Sequence, residues 1–171
     1  MKGPLSGLSL HPLVAIGVRR HRQVDVLTDQ HPRYQALRSL FGDEHRRISG
    51  IVLDILFDHY LYRHWSCFSD WPVGEFREGV YAVLRDGEAF LPQALAQVAP
   101  RWIEADWLRV YETIDGVDAV LGRMERRSRH RLSLREALST VLEHDATLEK
   151  GFLQVFSEVQ RVIEGGCSRA Y

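Results

Sequence analysis

The chain has 171 residues, of which 45% are hydrophobic and 26% are charged, and its formal net charge is -1. This length is sufficient for one domain with a packed core and too short to indicate two. We therefore predict a single helical domain over residues 1–171. Its ordered core is expected at about residues 9–164, followed by a short flexible C-terminal tail. The balance of acids and bases excludes a general electrostatic attraction to nucleic acid.

Cysteine content and hydropathy predict the compartment. Cys67 and Cys167 lie far apart and have no CxxC spacing, which is typical of proteins in a reducing compartment. No run approaches the roughly 20 apolar residues that span a bilayer, and the N-terminus MKGPLSGLSL lacks the apolar centre of a signal peptide. We therefore expect a soluble cytoplasmic protein with neither a membrane nor a nucleic-acid partner.

The first third of the chain predicts three helices. After Pro12, apolar residues recur every three or four positions, as on one face of a helix, and His21 and Asp25 lie on the same face. The sequence DQHP at residues 29–32 ends this helix. A short second helix precedes Gly42. A third begins near residues 43–44, and over residues 46–65 it is apolar nearly all the way round, as expected of a central helix covered by its neighbours.

The rest of the chain continues the helical pattern. A helix over 73–91 is followed by a short one that Pro92 begins and Pro100 ends, and then by a helix from Arg101 to the turn before Gly116. A capping-box pattern at Ser133 predicts the start of the last helical region, which ends at residues 165–166. The sequence shows no internal repeat and no strand pair, so we predict an all-α fold of about seven to nine helices.

Acidic residues in the central helix are the strongest functional signal. Asp54 and Asp58 need partners if this helix is covered on every side, because desolvating an unpaired carboxylate costs several kcal/mol. A spacing of four puts both on one helix face, and the same spacing relates His21 to Asp25 and Asp25 to Asp29. Two such rows facing each other would offer oxygen and imidazole ligands to a divalent cation such as Mn²⁺, Mg²⁺ or Fe²⁺.

Structural explanations compete with the metal hypothesis. His21 is also explained as a hydrogen-bonded core histidine, and Asp25 as an ion-pair partner of Arg19 or Arg22. Asp29 is also explained as a cap of the turn before the next helix. Asp54 and Asp58 are equally explained by a buried salt bridge to an arginine of another helix. The spacing alone leaves both explanations open.

Three segments resemble one known family. GVRRHRQVDVLTDQHP, VLDILFDHYLYRHW and ADWLRVYETIDGVDAVLGRMERR are similar, in this order, to the acyl carrier protein phosphodiesterases, also called ACP hydrolases. The resemblance covers about residues 3–163. It implies a divergent, all-helical relative of the HD phosphohydrolases that uses a divalent metal, typically manganese. It also implies hydrolysis of the phosphodiester between 4'-phosphopantetheine and a serine of holo-acyl carrier protein, which gives the apo protein and free phosphopantetheine.

The resemblance also assigns roles to residues. His21 and Asp25 match the family's His-Arg-x-x-Asp element, Asp29 its Thr-Asp, and Asp58 with His59 its Asp-His pair. Family members carry an upstream helix ending in Gly-Asn-Leu-Leu-x-Asp-Phe, and this chain opens where that element ends. We therefore expect either a shortened form or a true start further upstream.

Our mechanistic hypothesis makes His21, Asp25 and Asp58 the metal ligands. Asp58, His59 and Asp29 form the catalytic group, in which His59 moves a proton to the leaving serine oxygen. Asp54, like Asp29, orients these groups without touching the metal.

Two basic segments could bind the acidic carrier protein. We favour Arg19, Arg20 and Arg22, which adjoin His21, as the carrier-protein and phosphate-binding surface. The segment GRMERRSRHR, residues 122–131, is as typical of a solvated helix C-terminus. Two other functions stay open: an HD-like phosphohydrolase acting on a nucleotide or small phosphoester, and a non-catalytic helical module that binds the carrier protein.

Overall fold

The computed structural model describes residues 12–87, 90–128 and 133–167. Within these residues the chain forms nine α-helices and no strand, which confirms the all-α prediction. The helices are α1 (Pro12–Asp29), α2 (Pro32–Arg38), α3 (Gly42–His45), α4 (Ser49–Arg63), α5 (Val73–Asp86), α6 (Gln93–Ala96), α7 (Ala99–Glu104), α8 (Ile114–Arg127) and α9 (Leu138–Cys167). Short 3-10 segments follow α2, α4 and α7 at Ser39–Phe41, Trp65–Cys67 and Trp107–Glu112. We call the last of these the 107–112 segment.

Helix α4 is the centre of the fold. It packs against α2, α8, α9 and the 107–112 segment. Val52, Leu53 and Leu56 on its inner face are fully buried, whereas Asp54 and Asp58 are exposed. The expectation that α4 is covered on every side is therefore wrong: its neighbours leave one strip open to solvent, and both aspartates lie on that strip.

Helix α9 forms the other half of the core. Leu148, Phe152 and Val155 are buried, and α9 packs against α1, α2 and α4. A kink at His144 divides the helix. The helix continues to Cys167, one residue past the predicted end at residues 165–166.

The helix begins at Leu138 rather than at the predicted capping box. Residues 134–137 form a turn, and the backbone N–H of Arg135 donates to Glu125 of α8 at 2.8 Å. Because residues 134–137 form a turn, the α-helix does not start directly after Ser133 as the capping-box pattern predicted.

The region between α5 and α8 also differs from the prediction. Pro100 lies in the first turn of α7 and does not end α6, as expected of a residue without an N–H to donate. The helix predicted from Arg101 is interrupted at Asp106, whose φ of 45° is left-handed. The 107–112 segment follows this break and lies against α4 and α8.

Parts of the predicted domain lie outside the described residues. These are positions 1–8, positions 9–11, 88–89 and 129–132 of the expected ordered core, and positions 168–171 of the expected C-terminal tail. That the whole chain is one domain stays a prediction. In the described ranges, no helix combines the length and apolar character needed to cross a bilayer.

Candidate active site

The open face of α4 carries two carboxylates and meets two tyrosines from other elements. We call Asp54, Asp58, Tyr34 and Tyr111 the acidic strip. Tyr34 of α2 is buried, and its hydroxyl donates to Asp54 Oδ1 at 2.9 Å. Burial, followed by the Asp54 charge, raises the pKa of Tyr34 well above its ordinary value. Tyr34 therefore stays protonated and holds one oxygen of Asp54 in place.

Asp58 lies one helical turn beyond Asp54. The residue keeps part of its surface exposed to solvent, whereas its carboxyl group lies among many protein atoms. This burial, with the Asp54 charge as a second cause, raises the pKa of Asp58 to about 7. Asp58 therefore exchanges a proton close to neutral pH, which an ordinary aspartate does not do.

His59 is buried, and both its ring nitrogens are occupied. Nδ1 lies 2.8 Å from the carbonyl oxygen of Tyr111, and Nε2 lies 3.0 Å from a guanidinium nitrogen of Arg63. Because a guanidinium only donates, Nε2 accepts, and Nδ1 carries the hydrogen that is donated to the carbonyl. Burial also lowers the pKa of His59. These contacts describe a neutral imidazole that fixes the 107–112 segment to α4.

Arg63 extends this connection to α9. Its guanidinium lies 2.8 Å from Glu149 and 3.4 Å from Asp145. The Tyr60 hydroxyl donates to Asp145 at 2.7 Å, and His64 lies 2.8 Å from Glu149. The contacts join the end of α4 to α9, so the backbone that carries Asp58 is held from both sides.

The predicted residues of α1 are more exposed than expected. His21 Nδ1 lies 3.5 Å from Asp25 Oδ1, but their side chains are 77% and 52% exposed, so neither is a core residue. Asp29 is exposed at the end of α1, where its carbonyl accepts a hydrogen bond from Gln35. The Asp29 charge contributes to raising the pKa of Tyr34, which places the end of α1 near the acidic strip.

The predicted metal ligands are only partly brought together. Among the described residues, the group whose ligand atoms lie within 4.8 Å of one another consists of Glu44, His45 and Glu136. His21 and Asp25 are adjacent, but this geometry does not join them to Asp58. A shared metal site for His21, Asp25 and Asp58 stays a prediction. The carboxylates of the acidic strip are nevertheless the kind of donor that Mn²⁺ or Mg²⁺ accepts.

The structure does not support the alternative prediction that Asp58 forms a buried salt bridge with an arginine of another helix. Within the described ranges Asp58 forms no ion pair with an arginine, and the raised pKa reflects that lack of compensation. Sequence reasoning did not identify Tyr34 or Tyr111 as parts of this surface. Tyr34 belongs to the short apolar pattern of α2, and nothing in that pattern distinguishes it from an ordinary core tyrosine.

The two aspartates of the acidic strip are exposed, whereas Tyr34 is buried and Tyr111 is half-buried. Two surface pockets, of about 360 and 320 Å³, have linings that include none of its residues. Arg19 and Arg20 of α1 are exposed, and Arg22 is partly exposed.

Comparison with known proteins identifies the same family over most of the chain. The family described as acyl carrier protein phosphodiesterase matches residues 1–159. An acyl carrier protein phosphodiesterase of Escherichia coli O6:H1 is 35% identical over 153 residues, which are 86% of this chain and 77% of the relative. The protein of the same name from Escherichia coli O157:H7 (strain EC4115) is 37% identical with the same coverage. No solved structure matches the chain, so the relationship to HD phosphohydrolases stays a prediction.

Proposed function

This chain belongs to the acyl carrier protein phosphodiesterase family, and from that premise we propose that it removes the prosthetic group of holo-acyl carrier protein. The bond hydrolysed is the phosphodiester between 4'-phosphopantetheine and a serine. The products are the apo protein and free 4'-phosphopantetheine. The observation that carries the proposal is the family match over residues 1–159.

The reaction makes three chemical demands. A water must attack phosphorus, the charge on the non-bridging oxygens must be offset, and the departing serine oxygen must receive a proton. We assign the last demand to Asp58. With a pKa of about 7 it is partly protonated at neutral pH, so its proton can pass to the serine oxygen as the phosphorus–oxygen bond breaks.

Asp54 is our candidate for accepting the proton of the attacking water. Tyr34 binds one oxygen of its carboxylate and fixes the orientation of the other. Paired carboxylates whose surroundings separate their proton affinities are a common basis for acid and base roles. A divalent cation, when bound, would offset the combined charge of the phosphoryl oxygens and these aspartates.

His59 acts in this proposal as a positioning residue. Its two ring nitrogens are occupied by Tyr111 and Arg63, so it offers no free nitrogen to a leaving group. The assignment of proton transfer to Asp58 therefore replaces the earlier hypothesis for His59. The imidazole keeps the 107–112 segment, and with it Tyr111, against the helix that carries Asp58.

The basic face of α1 is our proposed contact for the carrier protein. Arg19 and Arg20 are exposed beside His21, and a cationic helix complements an acidic protein partner. Such surfaces mainly accelerate association, so the double variant R19Q/R20Q should lower the association rate several-fold at low salt. The effect should shrink as ionic strength rises. We further propose that the reaction is cytoplasmic, consistent with the free, exposed Cys67.

A mass-spectrometric assay tests the proposed activity. Purified protein is incubated with holo-acyl carrier protein, with and without Mn²⁺, and loss of the phosphopantetheine mass is followed. The D58N variant should lower kcat by about 10²- to 10⁴-fold. The matched control is D86N, which removes an exposed helical aspartate from α5.

The other candidate functions give different results in this assay. Hydrolysis of nucleotides without attack on the carrier protein would indicate a small-molecule phosphohydrolase. Carrier binding without turnover under any metal condition would indicate a binding module.

A further inference from the structure

An anionic substrate meets an electrostatic obstacle at the acidic strip. A phosphodiester carries a negative charge and must approach Asp54 and Asp58. Like charges at short range oppose binding unless a cation offsets them. Arg63 does not meet this need, because its guanidinium is already bound by Glu149 and Asp145. An unpaired cation of the protein near the strip would add to the offset that a bound divalent cation supplies.

Arg123 of α8 is placed to supply that cation. Gly116 lies against the backbone of Val110 in the 107–112 segment. Arg123 follows Gly116 by seven residues, close to two helical turns, and therefore projects from the same face of α8. This face of α8 borders the 107–112 segment, which also packs on α4, the helix that carries Asp54 and Asp58.

The electrostatics of Tyr111 support this placement. Burial, followed by the Asp58 charge, raises the pKa of Tyr111 to about 12, and Arg123 opposes that rise. The phenol is therefore within electrostatic reach of both Asp58 and Arg123. Tyr111 therefore lies near both Asp58, the proposed proton donor, and the guanidinium of Arg123.

The guanidinium of Arg123 is available to a ligand. The residue is exposed, and within the part of the chain that the structure describes it forms no hydrogen bond or ion pair. Arg135, in contrast, is bound by the carboxylate of Asp118, which lies in α8 with Arg123. An unpaired guanidinium offers five N–H donors whose planar fork matches two oxygens of a phosphate.

We propose that Arg123 binds the non-bridging oxygens of the substrate's phosphodiester beside Asp58. This inference rests on the proposed phosphodiesterase function. The guanidinium holds the phosphate group against the acidic strip and offsets the repulsion from its carboxylates. We expect Arg123 to bind a phosphate ester, because it lies near Asp58, the proposed proton donor. The surface proposed to contact the carrier protein lies on another helix, α1.

The test compares R123Q and R123K with R101Q. Arg101 of α7 is likewise exposed and without an ion pair within the described ranges, which makes R101Q a matched control. Losing a bidentate, charge-assisted contact should lower kcat/KM for holo-acyl carrier protein about 10- to 100-fold in R123Q. R123K keeps the charge and loses the fork, so its loss should be smaller. R101Q should stay within about twofold of the wild type.

A second measurement needs no turnover. Calorimetric binding of free 4'-phosphopantetheine should weaken in R123Q by a factor similar to the loss in kcat/KM, while the melting temperature stays at the wild-type value. Equal binding by R123Q and R101Q would overturn the inference. So would a higher KM for the carrier protein with unchanged binding of free 4'-phosphopantetheine, because that result assigns Arg123 to carrier docking. Failure of the wild-type protein to release phosphopantetheine would instead refute the proposed function.

Discussion

Replacing Gly116 by alanine tests whether α8 must lie directly on the 107–112 segment. A Cβ built on Gly116 would lie 2.8 Å from the carbonyl carbon of Val110 and even closer to its oxygen, whereas ordinary contact begins at 3.4 Å. The obstructing atoms belong to the backbone, so no side-chain rotation relieves the overlap. The two elements must move apart or distort.

The size of the effect follows from two opposing contributions. Overpacking costs about 1–3 kcal/mol, and the rigid backbone places this case toward the upper end. Alanine has a better helix propensity than glycine, which stabilises the folded protein by at most about 1 kcal/mol. We expect a net destabilisation of about 2 kcal/mol, which for a chain of this size lowers Tm by about 4–8 °C.

Thermal and urea unfolding measure this change directly. The control is Gly17→Ala in α1, where nothing lies within 4 Å of the added Cβ. That variant should be unchanged or stabilised by up to about 1 kcal/mol. The G116A variant should also lose phosphodiesterase activity, because moving the 107–112 segment separates the Tyr111 carbonyl from His59. A Tm for G116A at or above that of the wild type would refute this account of the packing.

Two further predictions address packing in the core and proton affinity at the strip. A Cβ on Gly151 would lie 2.6 Å from the buried Leu37 side chain. We therefore expect Gly151→Ala to destabilise the protein by about 1 kcal/mol in urea unfolding. Equal urea midpoints for the variant and the wild type would contradict this expectation. The D54N variant should lower the pKa of Asp58 from about 7, only partway because burial is the larger cause. Because Asp54 is also the proposed base, D54N should lose turnover, so the pKa of Asp58 is measured by NMR titration of its carboxyl carbon, and an unmoved pKa would remove Asp54 as a cause.

Local patterns predicted most of the helices because their signals are carried by neighbouring residues. The break at residues 29–32 ends α1 as expected, and the spacing of Asp54 and Asp58 places them on one face. The coverage of α4 could not be predicted in the same way. Whether a helix is enclosed depends on how far its neighbours reach around it, and the composition of the helix itself does not record that.

The contacts that build the site were beyond local reasoning for a related reason. His59 binds the carbonyl of a residue 52 positions away, and Arg63 binds Glu149 at a separation of 86 positions. Each contact joins α4 to an element far away in the chain, and α4 packs at the same time on the 107–112 segment, α8 and α9. An Asp-His dipeptide therefore predicted a catalytic pair, whereas the structure turns His59 inward to the core and leaves Asp58 on the open strip.

The open strip implies that stability and activity oppose each other at Asp58. Its pKa in the folded protein, about 7, lies above the ordinary value of 3.8, so between these pH values the folded chain holds a proton that the unfolded chain has lost. Stability contributed by this proton is complete below pH 3.8 and is lost as pH rises toward 7. In D58N that loss is absent, so the free energy of unfolding of the variant, relative to the wild type, should be higher at pH 8 than at pH 4. Denaturation at the two pH values should show that the stability of D58N relative to the wild type rises from pH 4 to pH 8, while the activity assay shows the reduced kcat. An unchanged pH dependence would mean that Asp58 titrates like an ordinary surface carboxylate.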